Sequence, residues 1–384
     1  MSFKKQVINL ACNLIKCPSL TPNDAGCNKI IISYLRKIGF KTEIMQFGNT
    51  TNIWAYRGKG YTVLFAGHTD VVNIGNLKYW KFPPFEPTLN NGFLYGRGAS
   101  DMKGAISAML VASREFFYTN KNFNQGRLAF LISSDEEGSG KHGIKKVIEV
   151  LIKRKEKIDC CLIGEPTGKK YIGDTIKNGR RGSLDAYIII YGKQCHVAYS
   201  NFNKNPINLV NLAINQLIKT SWNDKMCILP PTSMQIVKIK SDSKSCNNVT
   251  PNQVLLKLNF RFNLKSNEII IQKKIDIILK SLQCKYKTKY ILNSNPFITQ
   301  AGSLLQIVSH SIKICQNIFP SIKNNGGTSD GRFICKISKQ IIELGLLNKT
   351  IHQENECVKI TDLYILSKIY QTILSKIYLN QYAS

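Results

Sequence analysis

No apolar run in the 384 residues approaches the roughly 20 positions a membrane-spanning helix requires. The longest candidates, such as Tyr187 to Tyr191, are of strand length. The amino-terminal stretch Met1 to Leu14 alternates polar and apolar residues at helical spacing and lacks the apolar core of a signal peptide. Membrane-embedded and secreted roles are therefore not expected. No Cys-x-x-Cys pair occurs among the twelve cysteines, and only Cys160 and Cys161 are adjacent. That scatter, in a chain of this size, reads as free thiols in a reducing, cytoplasmic compartment and not as a disulfide framework. Internal repeats and low-complexity tracts are absent. Acidic residues are scarce, 24 against 53 basic ones, for a formal net charge of +29. The excess is not gathered into a basic run interleaved with aromatics, so no nucleic-acid partner is expected. We read it as compositional: ten of the basic residues are arginine, lysine supplies the rest, and Lys, Ile and Asn are abundant together. A coding sequence of ordinary base composition would refute that reading.

What is present is enough apolar material, 43% of residues, for two cores. From the amino terminus, helix-like stretches (Lys4 to Leu14, Asn28 to Ile38, Gly104 to Phe117) alternate with apolar strand-like runs (Tyr61 to Ala66, Leu128 to Ile132, Cys160 to Ile163). That rhythm predicts an α/β sheet covered by helices on both faces. Between residues 180 and 295 the order becomes β-α-β-β-α-β, the ferredoxin-like pattern. Its elements are Leu184 to Tyr191, Asn205 to Thr220, Met234 to Ile239, Val254 to Phe262, Asn267 to Leu282 and Tyr286 to Ile291. The α/β style then resumes with a helix from Ser303 to Ile318, a strand from Gln340 to Leu347 and a terminal helix from Thr361 to Leu379. The expected organisation is a catalytic domain formed by residues 1–179 and 296–384, interrupted by an inserted domain at 180–295.

Potential metal ligands fall just past the carboxyl ends of these strands, where open α/β sheets place their ligands. They are His68 with Asp70, then Asp101, Glu136 with Glu137, and Glu165, with His352 beyond the Gln340–Leu347 run. Each has an ordinary alternative. Asp101 could cap the following helix, the adjacent glutamates could be a solvated turn, and Glu165 before Pro166 could be turn chemistry. Their recurrence at successive strand ends, in a chain with few acids and five histidines, favours a metal site. Imidazole mixed with carboxylate suits zinc, cobalt or manganese better than calcium.

Five segments carry a resemblance. Gly67-His68-Thr69-Asp70-Val71-Val72, Tyr95-Gly96-Arg97-Gly98-Ala99-Ser100-Asp101-Met102-Lys103-Gly104 and Ser134-Asp135-Glu136-Glu137-Gly138 resemble metal-site motifs of the M20 metallopeptidase family. Gly164-Glu165-Pro166-Thr167 and Thr350-Ile351-His352-Gln353-Glu354-Asn355-Glu356-Cys357 fit the other two, in the same order. The resemblance covers essentially the whole chain. It implies a mixed-sheet zinc-hydrolase domain with an inserted dimerisation domain, a homodimer, and two Zn2+ per subunit with Co2+ able to substitute at one. Asp101 would bridge the ions, His68 and Glu165 complete one site, Glu137 and His352 the other. Glu136 would be the general base, with Asp70 behind His68. Asp70, two residues on from His68, is placed to hold its far imidazole nitrogen.

Further segments resemble the branch of that family that hydrolyses N-succinyl-LL-2,6-diaminopimelate. They are Asn178-Gly179-Arg180-Arg181-Gly182-Ser183-Leu184, His196-Val197-Ala198-Tyr199, Gly326-Gly327-Thr328-Ser329-Asp330-Gly331-Arg332-Phe333 and Pro83-Pro84-Phe85-Glu86-Pro87-Thr88. The resemblance implies that His196 reaches the site from the partner subunit and stabilises the oxyanion. The polycarboxylate substrate implies guanidinium partners, Arg180 and Arg261, because bidentate pairing suits carboxylates. Ser183, Asn247, Asn248, Gly327 and Thr328 would supply neutral donors, assisted by Tyr199. Departures are small: Asn73, Thr167, Cys195 and Ser200 replace residues the family favours, and none is an expected ligand or base. Another M20 deacylase or aminopeptidase is the alternative reading.

Overall fold

The computed structural model describes residues 2–222, 227–242, 247–299 and 302–379. The chain divides into two compact units. One comprises Met1–Gly179, Thr299–Lys323 and Ser329–Ser384, the other Arg180–Ile298 with Asn324–Thr328.

The first unit is built on six strands, in the spatial order Lys41–Phe47, Thr50–Lys59, Gly126–Ser133, Thr62–His68, Cys160–Ile163 and Gln340–Glu343. Among the first three, each neighbouring pair is antiparallel. From Gly126–Ser133 onward the pairing is parallel, so four strands end on the same edge. Thr62–His68 is buried at every position and apolar from Val63 to Ala66, as expected of a central parallel strand covered on both faces. Val63 and Phe65 join one large core with the helices Phe3–Ile15, Lys103–Thr119 and Ile360–Leu379. The intervening Leu64 and Ala66 are equally buried. Helix Ile144–Lys153 buries Ile144, Val147, Ile148 and Leu151, the i, i+3, i+4, i+7 stripe of an amphipathic helix. None of the described helices is long and apolar enough to cross a membrane. All eleven described cysteines are free thiols.

The last strand is shorter than the apolar run Gln340 to Leu347 suggested. It stops at Glu343. Beyond it, Leu344 still donates its amide to the Ile163 carbonyl, but Gly345 donates to the Thr167 hydroxyl. Pairing therefore passes from the strand to the loop that carries Glu165.

The second unit follows the β-α-β-β-α-β order. Its strands are Gly182–Tyr191, Ser233–Ser241, Gln253–Phe262 and Tyr286–Ser294, and its helices Pro206–Lys219 and Glu268–Ser281. All neighbours pair antiparallel, with Gly182–Tyr191 between Gln253–Phe262 and Tyr286–Ser294. Gln253–Phe262 alternates buried and half-buried residues along its length, the period-2 signature of a sheet with one covered face. Leu256, Leu258 and Phe260 pack there with Leu209, Ala213, Ile275 and Leu279 of the two helices. Asn324–Thr328, distant in sequence, belongs to this unit.

Candidate metal centre

Three of the four parallel strands deliver the candidate ligands to one edge. His68 is the last residue of the central strand, Glu136 and Glu137 follow Ser133 on one side, and Glu165 follows Ile163 on the other. Asp101 comes from the turn before helix Lys103–Thr119. Met102 fixes that turn against both strands. A Cβ at Gly67 would lie 2.3 Å from the Met102 methyl, and one at Gly164 2.5 Å from it. Both positions need glycine for this approach, and each adjoins a candidate ligand, His68 and Glu165. The helix is not capped by a side chain, so the Asp101 carboxylate is not spent on its amino terminus.

The two oxygens of Asp101 face different histidines. Oδ1 lies 3.2 Å from His68 Nε2, and Oδ2 lies 3.4 Å from His352 Nε2, which is itself 2.8 Å from Glu137 Oε1. Two groups of potential ligand atoms result, His68, Asp101, Glu165 and Asp101, Glu137, His352, each with all its atoms within 4.8 Å of one another. A third, overlapping group joins His68, Glu136 and Glu137. Imidazole and carboxylate donors around a shared aspartate fit divalent transition ions.

The electrostatics are those of a site that attracts cations. Burial alone would lower the His68 imidazole, but its hydrogen bond to Asp101 and the charges of Asp101 and Asp70 outweigh that and raise it well above the ordinary value. Hydrogen bonds to Asp101 and Glu137 push His352 up to about 10. Burial opposes ionisation of Asp101, yet the two histidines hold it below the ordinary carboxylate value. Burial, reinforced by the charge of Glu165, raises the Glu136 carboxyl well above its usual value. Two glutamates of one turn thus face different surroundings: Glu137 meets His352, and Glu136 is held toward its proton-bearing form.

Asp70 orders this edge in a way the sequence suggested only in part. Its backbone carbonyl, 2.9 Å from His68 Nδ1, accepts a hydrogen bond from that ring nitrogen and turns Nε2 toward Asp101. The Asp70 carboxylate is farther from the ring, at 3.6 Å. It accepts instead the backbone amides of Glu136 and Glu137 at 3.2 and 3.0 Å, so the far nitrogen is held by backbone and the carboxylate orients the two glutamates.

Glu356 has a role that sequence reasoning missed. Buried at 1% exposure, its carboxylate accepts the amides of Gly98, Ser100 and Asp101 at 2.9, 2.9 and 3.0 Å. It also pairs with Arg97 at 3.0 Å. Arg97 donates onward to the carbonyls of Asn73 and Gln353. One buried ion pair therefore ties together the segments that follow His68, precede Asp101 and follow His352. The available signal was its place in the His352 motif; its partners lie some 255 residues away.

The remaining candidates lie in the second unit, in two groups. Buried Arg180 donates to the carbonyl of Gly327 at 3.1 Å, and Ser183 stands opposite Arg261 in the strand register. His196 is exposed, with Asn248 Nδ2 3.4 Å from its Nε2 and the Tyr199 ring 5.8 Å away. Asn247 is exposed, Thr328 half-buried, and Tyr199 87% exposed. Cys195 is tied to Thr250, whose hydroxyl accepts its amide at 3.1 Å.

Comparison with known proteins agrees with this picture. Residues 64–376 match the model of Peptidase family M20/M25/M40. A protein of Wigglesworthia glossinidia brevipalpis named succinyl-diaminopimelate desuccinylase is 63% identical over 97% of this chain and 98% of its own. A protein of the same name from Buchnera aphidicola subsp. Baizongia pistaciae (strain Bp) is 48% identical over 97% and 98%. Among solved structures, an M20 family metallo-carboxypeptidase from Sulfolobus solfataricus superposes with a TM-score of 0.79 at 18% identity, covering 96% of this chain and 98% of that one. That last likeness speaks to the fold alone.

Proposed function

The chain belongs to peptidase family M20/M25/M40, and from that membership we propose that it hydrolyses N-succinyl-LL-2,6-diaminopimelate to succinate and LL-2,6-diaminopimelate, in lysine biosynthesis. The two relatives named for this activity, at 63% and 48% identity over nearly the whole chain, support the substrate. The observation that carries the chemistry is Asp101, whose two oxygens face two separate ligand groups.

In this reading Asp101 would contribute to holding two Zn2+ ions, with Co2+ able to replace one. His68 and Glu165 complete one site, Glu137 and His352 the other. When bound, the two metal ions would supply Lewis-acid activation of a water and of the amide carbonyl. Glu136 takes a proton from that water as its oxygen adds to the carbonyl carbon. It then gives the proton to the departing nitrogen as the C–N bond breaks, leaving a carboxylic acid and an amine, which exchange the remaining water proton to become carboxylate and ammonium. The raised Glu136 carboxyl supports this, because burial and the charge of Glu165 make it hold a proton more readily than an ordinary glutamate. Asp70 keeps Glu136 and Glu137 in register through their amides.

Arg180 and Arg261 recognise substrate carboxylates, with Ser183, Tyr199, Asn247, Asn248, Gly327 and Thr328 adding neutral contacts. His196 acts on the oxyanion from the partner subunit of a cytoplasmic homodimer formed through the inserted unit. Its exposure is compatible with that role.

The test is the rate of hydrolysis of succinylated against acetylated substrate by protein of known metal content. Metal-dependent turnover of the succinyl amide is expected. Preference for an acetyl group, or turnover indifferent to chelation, would overturn the proposal.

A further inference from the structure

Apart from the ligand edge, the first unit holds a cleft of about 560 Å³ lined by residues of the Phe93–Tyr95 and Cys357–Lys359 strands, the 169–171 loop and the 347–350 turn. That volume lies within the roughly 300–1,000 Å³ range of small-molecule sites. No residue assigned above to ion binding, proton transfer or substrate recognition lines it.

Its chemistry is specific. Lys169, Lys170, Lys349 and Lys359 stand around it. Like most lysines of this chain, these four ammonium groups have no ion pair or hydrogen bond among the described residues; what sets them apart is that all four line one cleft. Asp362, the one acid in the wall, is buried and lies in the field of Lys359. The loop that presents two of the lysines is held in place: the amides of Lys169, Lys170 and Tyr171 all donate to the Asp174 carboxylate, at 3.0, 2.7 and 3.1 Å. Between the charges the wall is apolar and aromatic, with Tyr95, Tyr171, Leu347 and Val358. Unpaired cations at the rim favour an anion, and flat ring surfaces favour a planar body.

We propose that this cleft binds a small organic anion with a planar apolar body, of the class of a nucleoside phosphate. The lysines take the acidic group and the tyrosine rings the planar part. The site adjoins the metal centre. Ser100, in its wall, immediately precedes Asp101 and donates its hydroxyl to the Leu347 carbonyl, and Thr350 lies two residues before His352.

The test is calorimetric titration of the full-length, metal-loaded protein at low ionic strength with adenosine monophosphate, adenosine and inorganic phosphate as probes. The nucleotide is expected to bind once per chain, at least about tenfold tighter than either fragment. The double change Lys169→Glu with Lys349→Glu should weaken it about tenfold or more, with the circular-dichroism spectrum unchanged. Lys153→Glu, on the exposed end of helix Ile144–Lys153, should leave it intact. Succinate should not compete. Nucleotide binding no tighter than that of its fragments, equal loss in the Lys153 variant, insensitivity to the double change, or displacement by succinate would each overturn the proposal.

Discussion

The ligand edge of the first unit and the His196 loop of the second are built on opposite principles. At the ligand edge His68, Asp70 and Asp101 are buried, Glu136, Glu137 and Glu165 are half-buried and His352 is exposed, and the groups are tied to one another by assigned partners. His68 is held through both ring nitrogens, Asp101 through its amide and both oxygens, and the Glu136–Glu137 turn through the Asp70 carboxylate. Around His196 the side chains are exposed; its ring accepts the Ala198 amide of its own turn at 3.2 Å, and the Asn248 side-chain amide lies at 3.4 Å. A site that must hold ions at fixed spacing needs groups oriented before the ions arrive. A histidine proposed to act on substrate from another subunit would need reach. Changes at the first region should therefore alter metal binding or abolish turnover, and changes at the second should alter turnover alone.

The largest effect is expected at the base. Glu136→Gln should lower kcat by about 10²–10⁴-fold while both ions stay bound. Loss of an ion in this variant, read by elemental analysis, would make Glu136 a ligand and blur the division between its turn neighbours. Next comes His196→Ala, expected to cost about 10²–10³ in kcat, the magnitude of an oxyanion donor, with metal content unchanged. Unaltered turnover would remove the second region from the chemistry.

Glu356→Gln sharpens the comparison from within the first region. Breaking a buried ion pair outright costs about 3–5 kcal/mol, so the isosteric change is preferred to alanine. It should weaken metal affinity about 10–100-fold and shift the visible spectrum of the cobalt-loaded protein, which a merely structural role would leave alone. The smallest effect is expected at Tyr199→Phe: its ring is largely exposed, and loss of one hydroxyl contact should change KM by about tenfold or less.

The raised histidines give a proton-linked prediction. Without ions, His352 with a pKa of about 10 carries a proton at neutral pH, as does His68, which is also raised. Ion binding requires the neutral ring, so binding releases protons and apparent affinity rises with pH up to that value. Calorimetry in buffers of different ionisation enthalpy should show proton release near pH 7. No release would mean that the carboxylates do not hold the histidines charged.

Much of this edge was legible because short apolar runs end, one after another, in residues able to bind a metal ion. Gly67-His68 and Gly164-Glu165 close the Thr62–His68 and Cys160–Ile163 strands as the sequence suggested. The inserted unit was legible from the alternation of Val254 to Phe262 and the spacing of its helices. Other features carried weaker signals. Lys41–Phe47 and Thr50–Lys59 form a hairpin at the sheet's margin, and exposed polar residues such as Lys41 and Lys59 break their apolar pattern. Helix Ile144–Lys153 had a clear i, i+3, i+4, i+7 stripe and went unread beside the acidic turn before it. That Asn324–Thr328 groups with the inserted unit depends on contacts such as Arg180 with Gly327, which no local pattern encodes. The same holds for Glu356, whose hydrogen-bond partners at Gly98, Ser100 and Asp101 belong to a distant loop.

The central claim is that one aspartate serves two ions. Metal stoichiometry of Asp101→Ala, measured by titration of the metal-free protein with zinc, tests it most directly. The wild type should take up two ions per chain, and the variant should lose tight binding of both. A variant that still binds two ions tightly would contradict the account.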